Sequence, residues 1–226
     1  MNDKEKKFIP ELGSHLRKHS VLLPESIYHA SGIRIMGTRI KSLIFTTDIA
    51  LICNNNAQAV FCVYPFTPQI NITTAIINAA RAPVFVGVGG GTTSGDRVLS
   101  LALQAELLGA YGVVVNAPMK ADMITRLSET VDIPIIATVG SAHEDYMAKV
   151  RAGAGILNIS AAAKTAEVVA QVRRDVGEEY PIIATGGPTD ETILNTIAAG
   201  ANAITYTPKT SGDIFHEMMV KYRNLE

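Results

Sequence analysis

From residue 40 onward the chain alternates between two kinds of segment, with little else between them. Short runs of apolar, mostly β-branched residues recur at 43–47, 59–64, 83–88, 112–116, 134–138, 155–159, 181–185 and 203–207. Each is too short for a helix and apolar at consecutive positions, the pattern of a strand buried on both faces. Segments with apolar residues at helical spacing separate them, at 48–54, 68–80, 94–110, 121–130, 143–152, 161–176 and 189–199, and 211–223 follows the last strand. Eight strands alternating with eight helices predict an α/β fold, a closed (β/α)8 TIM barrel of parallel strands. The first helix is short, so the first unit has the weakest register.

The barrel pattern occupies residues 39–226 as a single domain, and residues 1–38 form an N-terminal extension. Within the extension, 10–18 reads as a short helix, and Lys4, Lys6 and Lys7 read as a solvated end. The stretch SGIRIMG at 31–37 reads as a short strand or as a plug beneath the barrel.

An internal echo supports the alternation. PIIATVGSAHEDYMAKVRAGAGILNIS, from Pro134, aligns without gaps with PIIATGGPTDETILNTIAAGANAITYT, from Pro181, at an offset of 47 residues. Strand, turn, helix, Ala-Gly stop and next strand fall in step, which is two β/α units. Alternate strands of such a barrel occupy equivalent layers.

Composition agrees with this architecture: 47% hydrophobic and 18% charged residues suit strands covered on both faces. A net charge of -1 argues against a nucleic-acid surface. The two cysteines, Cys53 and Cys62, have neither metal-ligand spacing nor the pattern of a disulfide framework. The N-terminus is polar, and no apolar run approaches the ~20 residues of a membrane span, so a cytoplasmic protein with no membrane partner is expected.

Chemistry in this fold belongs to the C-terminal ends of the strands. There the last third of the chain is the most telling. Gly186-Gly187 follows the strand at 181–185, and Thr207-Pro208-Lys209-Thr210-Ser211-Gly212 follows the strand at 203–207. This pair of turns resembles strands 7 and 8 of the phosphate-binding, ribulose-phosphate-binding-type (β/α)8 barrels. That superfamily includes thiazole synthase, the keto-deoxy-phosphogluconate aldolases, the indole-ring enzymes of tryptophan synthesis and the glycerol-3-phosphate antiterminator-type proteins. The resemblance implies a phosphate held by Gly186, Gly187, Thr207, Ser211 and Gly212, with the two glycine N–H groups aimed into the mouth. The aldolases carry a Schiff-base lysine in strand 6, whereas strand 6 here, GILNIS, has none.

The remaining strand ends supply Asp48, Lys120 and His143 as acid–base candidates, and Gly90, Thr92, Asn116 and Asn158 as substrate-binding candidates. Each has a plainer reading beside it. Asp48 is placed to cap the first helix, Lys120 to open the fourth, and His143 aligns with Asp190, a helix-cap position. Gly89-Gly90-Gly91 either exposes bare N–H groups to a ligand or is a tight turn. His15, His19, His29 and His216 lie away from strand ends.

Hydroxyls, amides and glycines dominate the predicted mouth, with few carboxylates or histidines, so neither a metal nor another cofactor is expected. The expected partner is a small phosphorylated metabolite, and self-association stays open. Isomerase or lyase chemistry next to a carbonyl is the leading functional expectation. A non-catalytic phosphate-ligand sensor and a degenerate barrel used for assembly are the alternatives.

Overall fold

A computed structural model describes residues 20–224, together with Phe8, Pro10, Leu12 and Gly13. The lysine cluster at Lys4, Lys6 and Lys7, His15, His19 and most of the helix expected over 10–18 lie outside the described residues. After a short helix at Glu25–His29 comes a two-stranded hairpin, β1 (Ile33–Ile35) and β2 (Thr38–Ile40), turning through Met36 and Gly37, both at positive φ. The barrel strands follow as β3 (Ser42–Phe45), β4 (Ala59–Cys62), β5 (Val84–Gly89), β6 (Gly112–Val115), β7 (Ile135–Val139), β8 (Ile156–Ile159), β9 (Ile182–Thr185) and β10 (Ala203–Tyr206). Between them run α1 (Ile49–Cys53), α2 (Ile70–Ala79), α3 (Asp96–Leu107), α4 (Ala121–Thr130), α5 (Tyr146–Arg151), α6 (Thr165–Val176) and α7 (Asp190–Ala198), and α8 (Ser211–Arg223) ends the described chain.

All eight barrel strands are parallel, each paired with its sequence neighbour, and β10 pairs with β3 to close the ring. The fold is the α/β TIM barrel that the alternation predicts.

Alternation within each strand divides the core in two. Ile44, Val60, Val113, Ile135, Ile182 and Ile204 face outward beneath the helices. Leu43, Phe61, Phe85, Val114, Ile136 and Ile183 fill the interior. The hairpin supplies Ile33, Ile35 and Ile40 to that same interior cluster, so the segment at 31–37 belongs to a plug closing the bottom of the barrel. With its base sealed by carbon, the barrel opens only at the C-terminal mouth.

The short helix at Glu25–His29 packs against α7, and Ile27 is fully buried with Ile44, Ile52 and Ile204. Ser26 Oγ donates to Asp190 at 2.6 Å, and Val21 N–H bonds the carbonyl of Asn54 beyond α1. The N-terminal segment therefore covers the barrel wall between α7 and α1. The last helix, α8, has no buried residue, and Phe215 and Tyr222 on it are exposed.

Candidate active site

Position parity carries the apolar interior up to the mouth and then changes its chemistry. On β6 to β10 the inward places nearest the mouth are held by Asn116, Thr138, Asn158, Thr185 and Thr205, a polar arc above the layers of Ile and Phe, while β3, β4 and β5 present Phe45, Val63 and Gly87 there. The echo maps onto this arc, since Thr138 and Thr185 are 47 residues apart, as are Asn158 and Thr205.

Asn158 is 6% exposed, and its Nδ2 donates to Thr138 Oγ1 at 3.3 Å while its Oδ1 is buried without a partner. An unpaired buried oxygen of this kind costs about 1–3 kcal/mol. Thr93 Oγ1, beyond β5, is the other such atom among the described residues.

The Gly186-Gly187 turn is shaped by packing as well as by what it faces. A Cβ on Gly186 would lie 2.7 Å from Ile204 Cγ2, and one on Gly187 would lie 2.6 Å from Thr192 Oγ1. The N–H of Gly186 does not enter the mouth: it bonds the Thr205 carbonyl at 3.3 Å and extends the sheet. That corrects the expectation of two inward-pointing donors, because strand pairing between β9 and β10 continues one residue further than the sequence suggests. Gly187, at φ +82°, has no such bond. It opens on a cavity of about 490 Å³ whose lining includes Ala162, Ala163, Thr185, Thr192 and Asn195. Among the described residues, the N–H groups of Ala162, Ala163 and Gly187 have no protein acceptor.

At the start of α8 the Asp213 N–H goes to Thr210 Oγ1 and the Ile214 N–H to the Thr210 carbonyl, while the Gly212 N–H has no acceptor among the described residues. The Ser211 hydroxyl beside Asp48 holds the Asp48 carboxyl below the usual range, with the α1 N–H groups and the Ser211 N–H adding to the effect against partial burial. Thr210 and Asp213 form a reciprocal capping box. Thr207 and Gly212 stand exposed beside them. Lys209 reaches Glu217 at 2.5 Å, on the outside.

Asp48 also caps α1, accepting from Ala50 N at 2.8 Å and Leu51 N at 3.3 Å. Lys120 is exposed at the N-cap of α4 and lines a cavity of about 300 Å³ with Gly90, Gly91 and Asp122. His143 is exposed, with its backbone N–H on Ser141 Oγ. These three residues follow β3, β6 and β7, and no hydrogen bond or ion pair joins any two of them. Gly90 is at φ +103°, and a Cβ there would meet Asn116 N at 2.7 Å, so this glycine lets the turn lie against the end of β6. Thr92, Thr93 and Asn116 line a further cavity of about 250 Å³.

One residue of consequence escapes the sequence pattern. Lys149, on α5, is 6% exposed, and its Nζ donates at 2.8 Å to Ala117 O, Thr138 O and Glu144 Oε2. Glu144 Oε1 in turn accepts from Gly140 N. The pair ties the turns after β6 and β7 together from behind. The one sequence signal is its place on the same helix face as the buried Tyr146, with Glu144 five residues before it.

No family model matches the chain, and no curated protein matches it. Solved structures do, at low identity. Phosphonopyruvate hydrolase superposes with a TM-score of 0.63 at 14% identity, covering 84% of each chain. Phosphoenolpyruvate phosphomutase from Streptomyces platensis subsp. rosaceus gives 0.60 at 12% identity over 80% of each chain. The 4-hydroxy-tetrahydrodipicolinate synthase of Methylacidiphilum fumariolicum SolV gives 0.59 at 14%, covering 74% of this chain and 67% of that one. The chain shares the barrel of these enzymes. Phosphonopyruvate hydrolase has been solved with oxalate and Mg++. Among the described residues here, no group of three or more His, Cys, Asp or Glu is arranged to hold a metal ion. No helix among them is long and apolar enough to cross a membrane.

Proposed function

We propose that the protein binds a small phosphorylated metabolite in the barrel mouth and acts on it as a lyase or isomerase, in the manner of the ribulose-phosphate-binding-type barrels. Asn158 carries this reading. A buried amide with an unpaired oxygen, set in an arc of hydroxyls above a sealed apolar barrel, is stabilised when a polar ligand supplies the missing donor. The phosphate is assigned to the Gly187 turn, where the free N–H groups of Ala162, Ala163 and Gly187 lie on residues around one cavity, and Thr207 and Gly212, after the neighbouring strand β10, are proposed to complete the site. Ser211 is left to Asp48. Two of the solved structures with this barrel bear the names of enzymes of phosphorus-containing acids, which is consistent with the assignment. Lys120 is the preferred proton-transfer group, being exposed and unpaired at the mouth, and His143 is the next.

The separation of Asp48, Lys120 and His143 favours a second reading, a phosphate-ligand sensor without catalysis. One experiment treats both. Thermal melts with inorganic phosphate and glycerol 3-phosphate are expected to show a midpoint that rises with ligand concentration. Ala163→Glu puts a carboxylate beside the cavity without disturbing the crowded glycines, and it should abolish that rise while leaving the ligand-free midpoint near the parent's. No response in the parent refutes the phosphate reading. NMR in D2O with phosphorylated 2-oxo acids and ketoses then separates enzyme from sensor. Exchange of the proton next to the carbonyl, lost in Lys120→Met, marks the enzyme.

A further inference from the structure

Cavity, side-chain identity and an orphaned hydroxyl coincide at the β4–β6 side of the mouth. The inward position of β5 nearest the mouth is Gly87, and past a break in the ladder the backbone of Gly89 also lines the space while its Cβ direction points at Val98 of α3, so this sector of the barrel has a backbone floor where its neighbours present side chains. Tyr64, Pro65, Phe66 and Pro68, with Val63 beside Gly87, make the rest of that side of the lining largely carbon. The Tyr64 hydroxyl accepts the Gln69 N–H at 2.9 Å, which fixes the ring against the turn. Asn116 and Thr93 close the inner end. Thr93 is 3% exposed and its Oγ1 has no partner. No charged side chain lines the space.

We infer that this slot is a subsite for an uncharged aromatic or heteroaromatic ring whose polar edge bonds Thr93 Oγ1 and the Asn116 amide. Three physical constraints lead to that class. A floor with no side chain at Gly87 beside a lining of Tyr64, Pro65, Phe66 and Pro68 gives a carbon-rich space suited to a ring. An ion placed there would lose its hydration with no counter-charge to replace it. A hydroxyl and a primary amide together offer both donors and acceptors, which matches an amide-like edge. Size agrees: a dry cavity of about 150 Å³ holds benzene, and this one, at about 250 Å³, has room for one substituted ring.

The subsite deepens the phosphate reading and rests on it for the rest of the substrate. β5 and β9 stand on opposite sides of the closed ring. Eight strands about 4.8 Å apart and tilted by about 36° make a ring roughly 15 Å across. A metabolite reaching both places carries its phosphate and its ring at opposite ends of a short chain.

The subsite itself is tested without phosphate. Benzamide and benzoate, a neutral and an anionic probe of nearly equal shape, are titrated against the full chain by ligand-observed NMR. Benzamide is expected to bind at least tenfold more tightly than benzoate. Gly87→Ala raises the floor, its methyl meeting Val63 at 3.2 Å, and should weaken benzamide at least fivefold. Thr93→Val removes the orphan hydroxyl at constant shape, so it should weaken benzamide while raising the melting temperature. Equal or tighter binding of benzoate, no binding of benzamide, benzamide affinity indifferent to both variants, or a Thr93→Val protein that melts lower than the parent would each overturn the inference. Because the probes carry no phosphate, a failed phosphate titration leaves this result standing, and the converse also holds.

Discussion

Asp48, just beyond β3, lies beside Ser211, the first residue of α8, whose hydroxyl and N–H help hold its carboxyl below the usual range. The positive end of a helix dipole is thus met by a carboxylate from the chain itself. Asp48 stands at one half of the phosphate cradle that the sequence suggests, and further N–H groups without a protein acceptor among the described residues lie around Gly187.

Stability should register that contact with a definite sign. The folded-state carboxyl of Asp48 lies below its ordinary 3.8, so its contribution is complete above that value and disappears as pH falls through the folded pKa. Asp48→Ala loses cap and charge together, at a cost of about 1 kcal/mol at pH 7. Asp48→Asn keeps a capping oxygen and should cost less. Urea titrations should show the gap between the Asn variant and the parent closing as pH falls below 3.8 and through the folded pKa. A gap that persists or widens in acid would refute the assignment.

Lys149 makes a stronger claim on the fold. Its three bonds replace the water it would have outside, and removing it strands Glu144 beside the β7 turn. Lys149→Met is expected to destabilise by about 3 kcal/mol, as for other broken buried pairs. The double variant with Glu144→Gln should recover part of that loss. Additive effects in the denaturation cycle would show that the pair is not coupled.

The cysteines should differ sharply in reactivity. Burial pushes the Cys62 thiol up to about 12, leaving almost no thiolate at neutral pH. Cys53 is exposed. A colorimetric thiol reagent at pH 8 should therefore titrate one thiol in the native protein and two in denaturant. Rapid modification of both without denaturant would contradict the packing of β4.

Hydrogen exchange should separate two helices of similar length. In α6, Val168, Val169 and Val172 are buried against the barrel, whereas α8 has no buried residue. Amides of α8 are expected to exchange through local fraying, orders of magnitude faster than those of α6. Comparable protection would mean that another surface covers α8 in solution.

The sequence by itself determined the number, order and direction of the barrel strands. A strand covered on both faces must be apolar at consecutive positions, and a helix covering it repeats at 3.6, so the two patterns cannot be confused over eight cycles. The 47-residue echo went further and placed Thr138 with Thr185, and Asn158 with Thr205, because inward positions recur on alternate strands. What only the tertiary structure decided are pairings between residues far apart in the chain. Ser26 meets Asp190 across 164 residues, and with it the N-terminal segment covers the wall between α7 and α1. Gly186 spends its N–H on Thr205, Lys149 turns inward to three oxygens, and Asp48 reaches Ser211. Local pattern reports whether a residue is apolar and how it repeats. It does not report which distant donor or acceptor satisfies a polar group, and that is settled only when closure of the ring brings β10 beside β3.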